Sequence, residues 1–224
     1  MDTARLAPSD ETTSSEPRLN RADWIAAALE LLIDEGIDAV RITTLANALT
    51  VTRGSFYWHF KDRDDLCDAI MAHWERTNTA AVLAAVKDTA SLDQGVLALF
   101  DAWIDATRFE PRLDAAMRDW ARRSGAVHTA VEKADDTRIT AIAGLFSEHG
   151  FNPTDAFIRA RIIYFAQVGY YALEIDETMV QRFGYLEAYY TGFTGRTLDP
   201  ALVKTYRAKH LDIVGSQSTA GDRP

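Results

Sequence analysis

Apolar residues recur at intervals of three and four along most of the chain, and period-two alternation is scarce. That pattern predicts an all-α protein. The first run carries Trp24, Ile25, Ala28, Leu29, Leu32 and Ile33, starting near Asn20 and stopping at Gly36. Ile37 and Val40 bring the chain back onto the core. Thr43 or Thr44 is placed to cap a second helix whose Leu45, Ala46 and Leu49 face inward. Thr52 is placed to cap a third, with Phe56 and Phe60 four residues apart on its inner side. Asp62 caps a fourth, with Asp65 three residues on as its capping-box partner. Leu66, Ile70 and Trp74 then follow at four-residue spacing.

Beyond residue 78 the pattern predicts helix after helix, over 79–88, 92–108, 111–123, 126–149, 153–174, 178–194 and 200–211. Pro111, Pro153 and Pro200 sit at first-turn positions, where a missing N–H costs nothing. Residues 1–17 and 214–224 read as disordered tails, because neither has the apolar content to repay the entropy of ordering. The segment Asp155–Leu173 is apolar nearly all round the helix. Such a helix must be buried on every side: the core takes one face and a second subunit can take the other, the alternative being the central helix of a monomer. Ile158, Ile162 and Phe165 are the candidate interface residues there, joined by Phe183, Leu186 and Tyr190 on the next helix.

Charge singles out one stretch. The total is −9. Arg41, Arg53, Lys61 and Arg63 against Asp62 give residues 41–63 a net +3, which leaves −12 for the rest. A basic patch on an acidic body orients the molecule toward a polyanion. Within Thr43–Arg63, two short helices and a turn would present Arg53, Ser55, Tyr57 and His59 beside Lys61 and Arg63. A thin helix with polar residues at its tip and flanking cations is what a DNA major groove admits.

The run Thr43-Thr44-Leu45-Ala46, then Val51-Thr52-Arg53-Gly54-Ser55-Phe56-Tyr57-Trp58-His59-Phe60-Lys61, then Arg63 and Leu66, resembles the tetracycline-repressor family of bacterial regulators. The resemblance covers about a quarter of the chain. It implies a three-helix helix-turn-helix DNA-binding domain over 18–66 and a helical ligand-binding and dimerisation bundle over 67–213. It further implies a homodimer on a near-palindromic double-stranded DNA operator, most simply as a repressor, released by a small-molecule effector. By that resemblance Arg53, Gly54 and Ser55 approach base edges, and Tyr57 and His59 meet bases or phosphates. Lys61 and Arg63 grip phosphate, and Thr43 and Thr44 meet the backbone or a base edge. Trp58 either touches the DNA backbone or packs on the first helix. One departure stands out: the family has glycine where this chain has Thr50, and a β-branched residue is strained in a left-handed turn.

For the effector, Trp103, Met117 and Trp120 could frame a cavity, with Asp119 or Gln167 as a polar anchor. The scattered histidines show no metal spacing, and no catalytic or cofactor motif appears, so neither enzyme chemistry nor a cofactor is expected. The lone Cys67 excludes an intramolecular disulfide and reads as a small buried hydrophobe in an intracellular protein. No signal peptide or membrane-length apolar run is present, so a cytoplasmic location without membrane partners is expected. A ligand-independent DNA-binding protein and a helical interaction module remain the alternatives.

Overall fold

The computed structural model describes residues 19–210, all of whose regular structure is helical. The two predicted tails, 1–17 and 214–224, lie outside the described residues. Twelve α-helices and one π-helical segment follow in order. They are α1 Arg21–Glu35, α2 Ile42–Ala48, α3 Arg53–Phe56, α4 Arg63–Trp74, the π segment Glu75–Thr79 and α5 Ala80–Val86. Then come α6 Leu92–Ile104, α7 Pro111–Ala121, α8 Gly125–Glu148, α9 Pro153–Ala172, α10 Met179–Gly184, α11 Leu186–Thr194 and α12 Pro200–Lys209. No helix among the described residues is long and apolar enough to cross a membrane.

The helix ends follow local chemistry. Asn20 caps α1 in a capping box with Asp23, and Gly36, at φ 82°, closes it with a bond to the Leu32 carbonyl. Pro111, Pro153 and Pro200 each open a helix behind a capping Glu110, Asn152 or Asp199. Asp62 caps α4 through the Asp65 N–H at 3.0 Å. The expected reciprocal bond goes one residue further back, with Asp65 accepting from the Lys61 N–H at 3.0 Å. Thr43 and Thr44 do not cap α2. Arg41 is its N-cap, its Nε donating back to the Asp38 carbonyl at 2.7 Å and not to the helix end, which leaves both threonines inside the first turn.

Two larger departures concern continuity. The pattern sets the helix of Leu66, Ile70 and Trp74 apart from the next span, 79–88, but the two are continuous. α4, the π segment and α5 form one unbroken rod, with helical backbone at both junctions. The expected domain boundary at residue 66 therefore falls inside a helix. Conversely, the predicted helix over 178–194 splits into α10 and α11 at Tyr185.

The core has two apolar parts. One gathers α1–α4 with Leu113, Met117 and Trp120 of α7 and Val127, Val131 and Ala134 of α8. The other gathers α5, α6, the second half of α8, and α9–α12. α8, about 36 Å long at 1.5 Å per residue, runs through both.

Between the two parts lies a buried ionic cluster. Asp114 Oδ1 accepts from Trp74 Nε1 at 2.8 Å and from Arg138 Nη1 at 2.9 Å. Asp114 Oδ2 accepts from Arg118 Nε at 3.1 Å. Arg118 also forks onto both oxygens of Asp135, at 2.9 and 2.7 Å. The Tyr164 hydroxyl donates to Asp135 at 2.6 Å and accepts from both arginines at 3.0 Å. Arg138, fully buried, also bonds Thr79 of the π segment at 3.1 Å and lies over the Trp74 ring at 4.8 Å. One cluster thus clamps α4, the π segment, α7, α8 and α9.

Burial alone would push the Asp114 carboxyl up. The charges of Arg138 and Arg118 and the hydrogen bonds from Arg138 and Trp74 overcome it and hold the group below its ordinary range. A carboxylate depressed in the folded state stabilises above its unfolded pKa and loses that contribution as pH falls through the folded value. D114N should therefore cost about 3 kcal/mol at pH 7, because it leaves Arg138 uncompensated. In urea unfolding, the gap to wild type should close as pH drops below about 4.

The α2–α3 turn gives a second test. Thr50 takes φ +57°, the left-handed conformation disfavoured for a β-branched residue. T50G should raise unfolding free energy by about 0.5–1 kcal/mol, as relieved strain outweighs the freedom glycine adds to the unfolded chain. A destabilised T50G in the same urea assay would show the turn to be relaxed.

Candidate nucleic-acid interface

The tip of the N-terminal part is built from inside outward. Phe56 and Phe60 are buried and stack at 5.3 Å, and Trp24 of α1 meets Phe56 edge-on at 5.3 Å. With the inner side of the third helix locked this way, Arg53, Gly54, Ser55, Tyr57 and Trp58 turn outward. α3 is short: regular helix ends at Phe56, and Tyr57–His59 continue as a turn held by the His59 and Phe60 N–H groups on the Phe56 carbonyl. The predicted tip residues are therefore adjacent, but they are only partly helical.

Exposure separates them. Trp58 is 87% exposed and Tyr57 61%. Together with Thr52, Gly54 and Ser55 they line an open depression. Of the two readings of Trp58, packing on the first helix is excluded by that exposure. His59 is half-buried, its ring 6.5 Å from that of Trp24. Thr43, Arg53 and Lys61 are exposed, and Thr44 is half-buried. A side chain at Gly54 would meet only Thr52 Oγ1, at an ordinary 3.6 Å. The fold does not require glycine there.

Arg63 departs from expectation. Its Nε donates to the Val40 carbonyl at 2.7 Å and its Nη2 to the Ile37 carbonyl at 2.8 Å. The side chain buckles α4 to the loop between α1 and α2 and is not a free phosphate clamp. Sequence pattern alone could not separate it from Lys61, since both are cations at the edge of one basic run. Arg21, which that reading missed, lies 4.4 Å over the Phe60 ring and 3.5 Å from Asp65, and so stiffens the same corner. Cys67 is buried, and burial pushes its thiol up even with Arg63 nearby, which leaves it an unreactive core residue.

Residues 25–70 match the family model for bacterial regulatory proteins of the tetR family. Over these N-terminal residues the chain is of the TetR type. It is 45% identical over 53 residues to the class D tetracycline repressor protein of Escherichia coli, covering 24% of each chain. It is 38% identical over 63 residues to the regulator AcrR of Shigella flexneri, covering 28% of each. These matches span about a quarter of the relatives' length. The class C tetracycline repressor protein of Escherichia coli aligns further, at 30% over 153 residues, 68% of this chain and 64% of that one. Among solved structures, the ketosteroid regulator KstR2 of Mycobacterium tuberculosis superposes with a TM-score of 0.61 at 17% identity, over 82% of this chain and 97% of that one. A TetR regulator from Legionella pneumophila gives 0.58 at 20% identity, over 74% and 94%. At such identities these structures share the fold.

In the C-terminal part of the chain, a cavity opens among α6, α9, α10, α11 and α12. Trp103 and Gln167 line it. Met117 and Trp120 do not: they lie on the side of α7 that packs into the N-terminal core with α1 and the first half of α8. Asp119 is engaged at the surface by Arg122. Phe183, Leu186 and Tyr190 are buried within the chain, and Phe183 and Leu186 face the cavity, so none is free for a partner. Ile158, Ile162 and Phe165, with Phe157, do form an exposed face of α9, while Ala156, Ala160, Ile163 and Tyr164 form its buried face.

The two cations can be told apart without DNA. R63A should lower unfolding free energy by about 2 kcal/mol through loss of its two charge-assisted bonds. K61A should change it by less than about 0.5 kcal/mol. Equal midpoints for both variants in urea would remove Arg63 from the scaffold.

Proposed function

We propose that this protein is a transcriptional repressor that binds a near-palindromic DNA operator as a homodimer and releases it when a small molecule fills the C-terminal cavity. The observation that carries the reading is the exposed tip. Two large aromatics, Tyr57 and Trp58, stand in solvent beside Arg53, Lys61 and the bare backbone of Gly54. Exposing that much apolar surface at one rigid point has no stabilising purpose and suits a groove or phosphate contact. The relatives include tetracycline repressor proteins, which favours repression.

The exposed apolar face of α9, Phe157, Ile158, Ile162 and Phe165, supports pairing with a second copy. Pairing there would place two tips for half-sites about 34–36 Å apart. The route from effector to DNA is physical. Gln167 at the cavity and Tyr164 in the ionic cluster lie one turn apart on the buried side of α9. That cluster reaches Trp74 and Thr79 on the rod that begins at α4. A ligand that displaced α9 would move the cluster, the rod and the tip spacing. Full release requires about a 10⁴-fold preference for the displaced state.

Operator DNA selected from random sequence supplies the test. Y57A should weaken binding to it at least tenfold with the unfolding midpoint unchanged, and K61A should reduce the log–log salt slope by about one per subunit. The double variant I158D/I162D should sediment as a monomer and lose operator affinity. Selection of no sequence, or a monomeric wild type, would overturn the reading.

A further inference from the structure

The cavity wall carries chemistry that narrows its occupant, provided the cavity is the effector site proposed above. Its aromatic rings face from several directions. Phe100 meets Trp103 at 6.2 Å and 72° and Phe193 at 6.4 Å, and Tyr189 stacks on Phe193 at 5.6 Å. Such walls suit a flat, π-rich body better than a branched aliphatic one.

The polar groups are fewer and of one kind. Gln167 is 9% exposed, and its Nε2 has no acceptor in hydrogen-bond geometry. A buried N–H without an acceptor is costly, and a ligand oxygen would relieve it. Arg182 lies 4.5 Å over the Tyr170 ring and, among the described residues, has no carboxylate within 4.0 Å. Arg182 and Gln167 both line the cavity, and both lie near the Tyr171 hydroxyl. That hydroxyl gives its own proton to the Trp103 carbonyl at 2.5 Å. Glu177 is the carboxylate in the lining, and the Tyr170 hydroxyl donates to it at 2.6 Å.

We infer that the cavity takes a flat aromatic molecule bearing a carbonyl or carboxylate oxygen, received by Gln167 Nε2 and Arg182, and that it discriminates against aromatic cations. A cation would meet the Arg182 charge already seated on the Tyr170 face and would leave the Gln167 amide unmet.

Four probes with one ring system test this by calorimetric titration of the full chain: 2-methylnaphthalene, 2-acetylnaphthalene, 2-naphthoate and (2-naphthylmethyl)trimethylammonium. The ketone and the acid should bind about fivefold or more tightly than the hydrocarbon, the worth of a hydrogen bond, and the ammonium probe should be weakest. Q167L should erase the ketone's advantage while leaving the hydrocarbon within about twofold, a control that also reports an intact fold. A166F, which adds bulk at the wall, should weaken all four. An ammonium probe as tight as the ketone, an advantage that survives Q167L, or no binding by any probe would each overturn the inference. Operator binding is measured on the same preparation. Failed probes with intact operator selectivity count against the cavity chemistry alone. Probe binding as expected without operator selectivity counts against the regulator reading alone.

Discussion

The ion pair between Asp114 and Arg138 is the constraint on which the rest depends. Two apolar cores meet across it, and the rod from α4 to α5 is pinned at the meeting point by Trp74 and Thr79. A buried pair of this kind adds little net stability, since desolvation consumes most of the Coulombic gain. What it adds is direction. Each hydrogen bond fixes one helix relative to another, whereas apolar packing alone would tolerate sliding. Arg138 Nη2 remains without an acceptor, so the cluster is tight but not saturated.

The exposed tip around Tyr57 and Trp58 illustrates the opposite case. Its outer residues make few contacts, and its position is set entirely from within by the Trp24, Phe56 and Phe60 rings and by Arg63 on the Ile37 and Val40 carbonyls. The strained Thr50 fits that scheme. The Val51 N–H reaches the Ala46 carbonyl at 2.9 Å, which holds the turn tight against its residue preference.

Legibility in the sequence followed the range of the physics. Helix starts at Asn20, Asp62, Pro111, Pro153 and Pro200 were readable because caps and prolines act within three residues. The inward Phe56 and Phe60 were readable from spacing alone. The strain at Thr50 was readable because a single residue type conflicted with a known turn. What escaped was long-range. Arg63 differs from Lys61 only in the carbonyls that the α1–α2 loop offers it. Asp114, Arg118, Asp135 and Arg138 look like ordinary surface charges until the packing of α7 on α8 brings them together. Met117 and Trp120 have the right size for a pocket, but α7 turns them to the other core. Phe183, Leu186 and Tyr190 resemble an intersubunit face in pattern, because helical spacing reveals that a stripe is apolar and not which neighbour it meets. The continuity of the rod was hidden for the same reason, since nothing local distinguishes a π turn from a break.

Of the five tryptophans in the chain, Trp24, Trp74, Trp103 and Trp120 are buried and Trp58 alone stands in solvent. The molecule therefore carries a built-in optical reporter at its tip. A water-soluble collisional quencher reaches that one indole and spares the other four, so its emission can be isolated without any label. Whatever surface covers the tip in the cell also shields that indole, and occupancy becomes readable as light from the native chain.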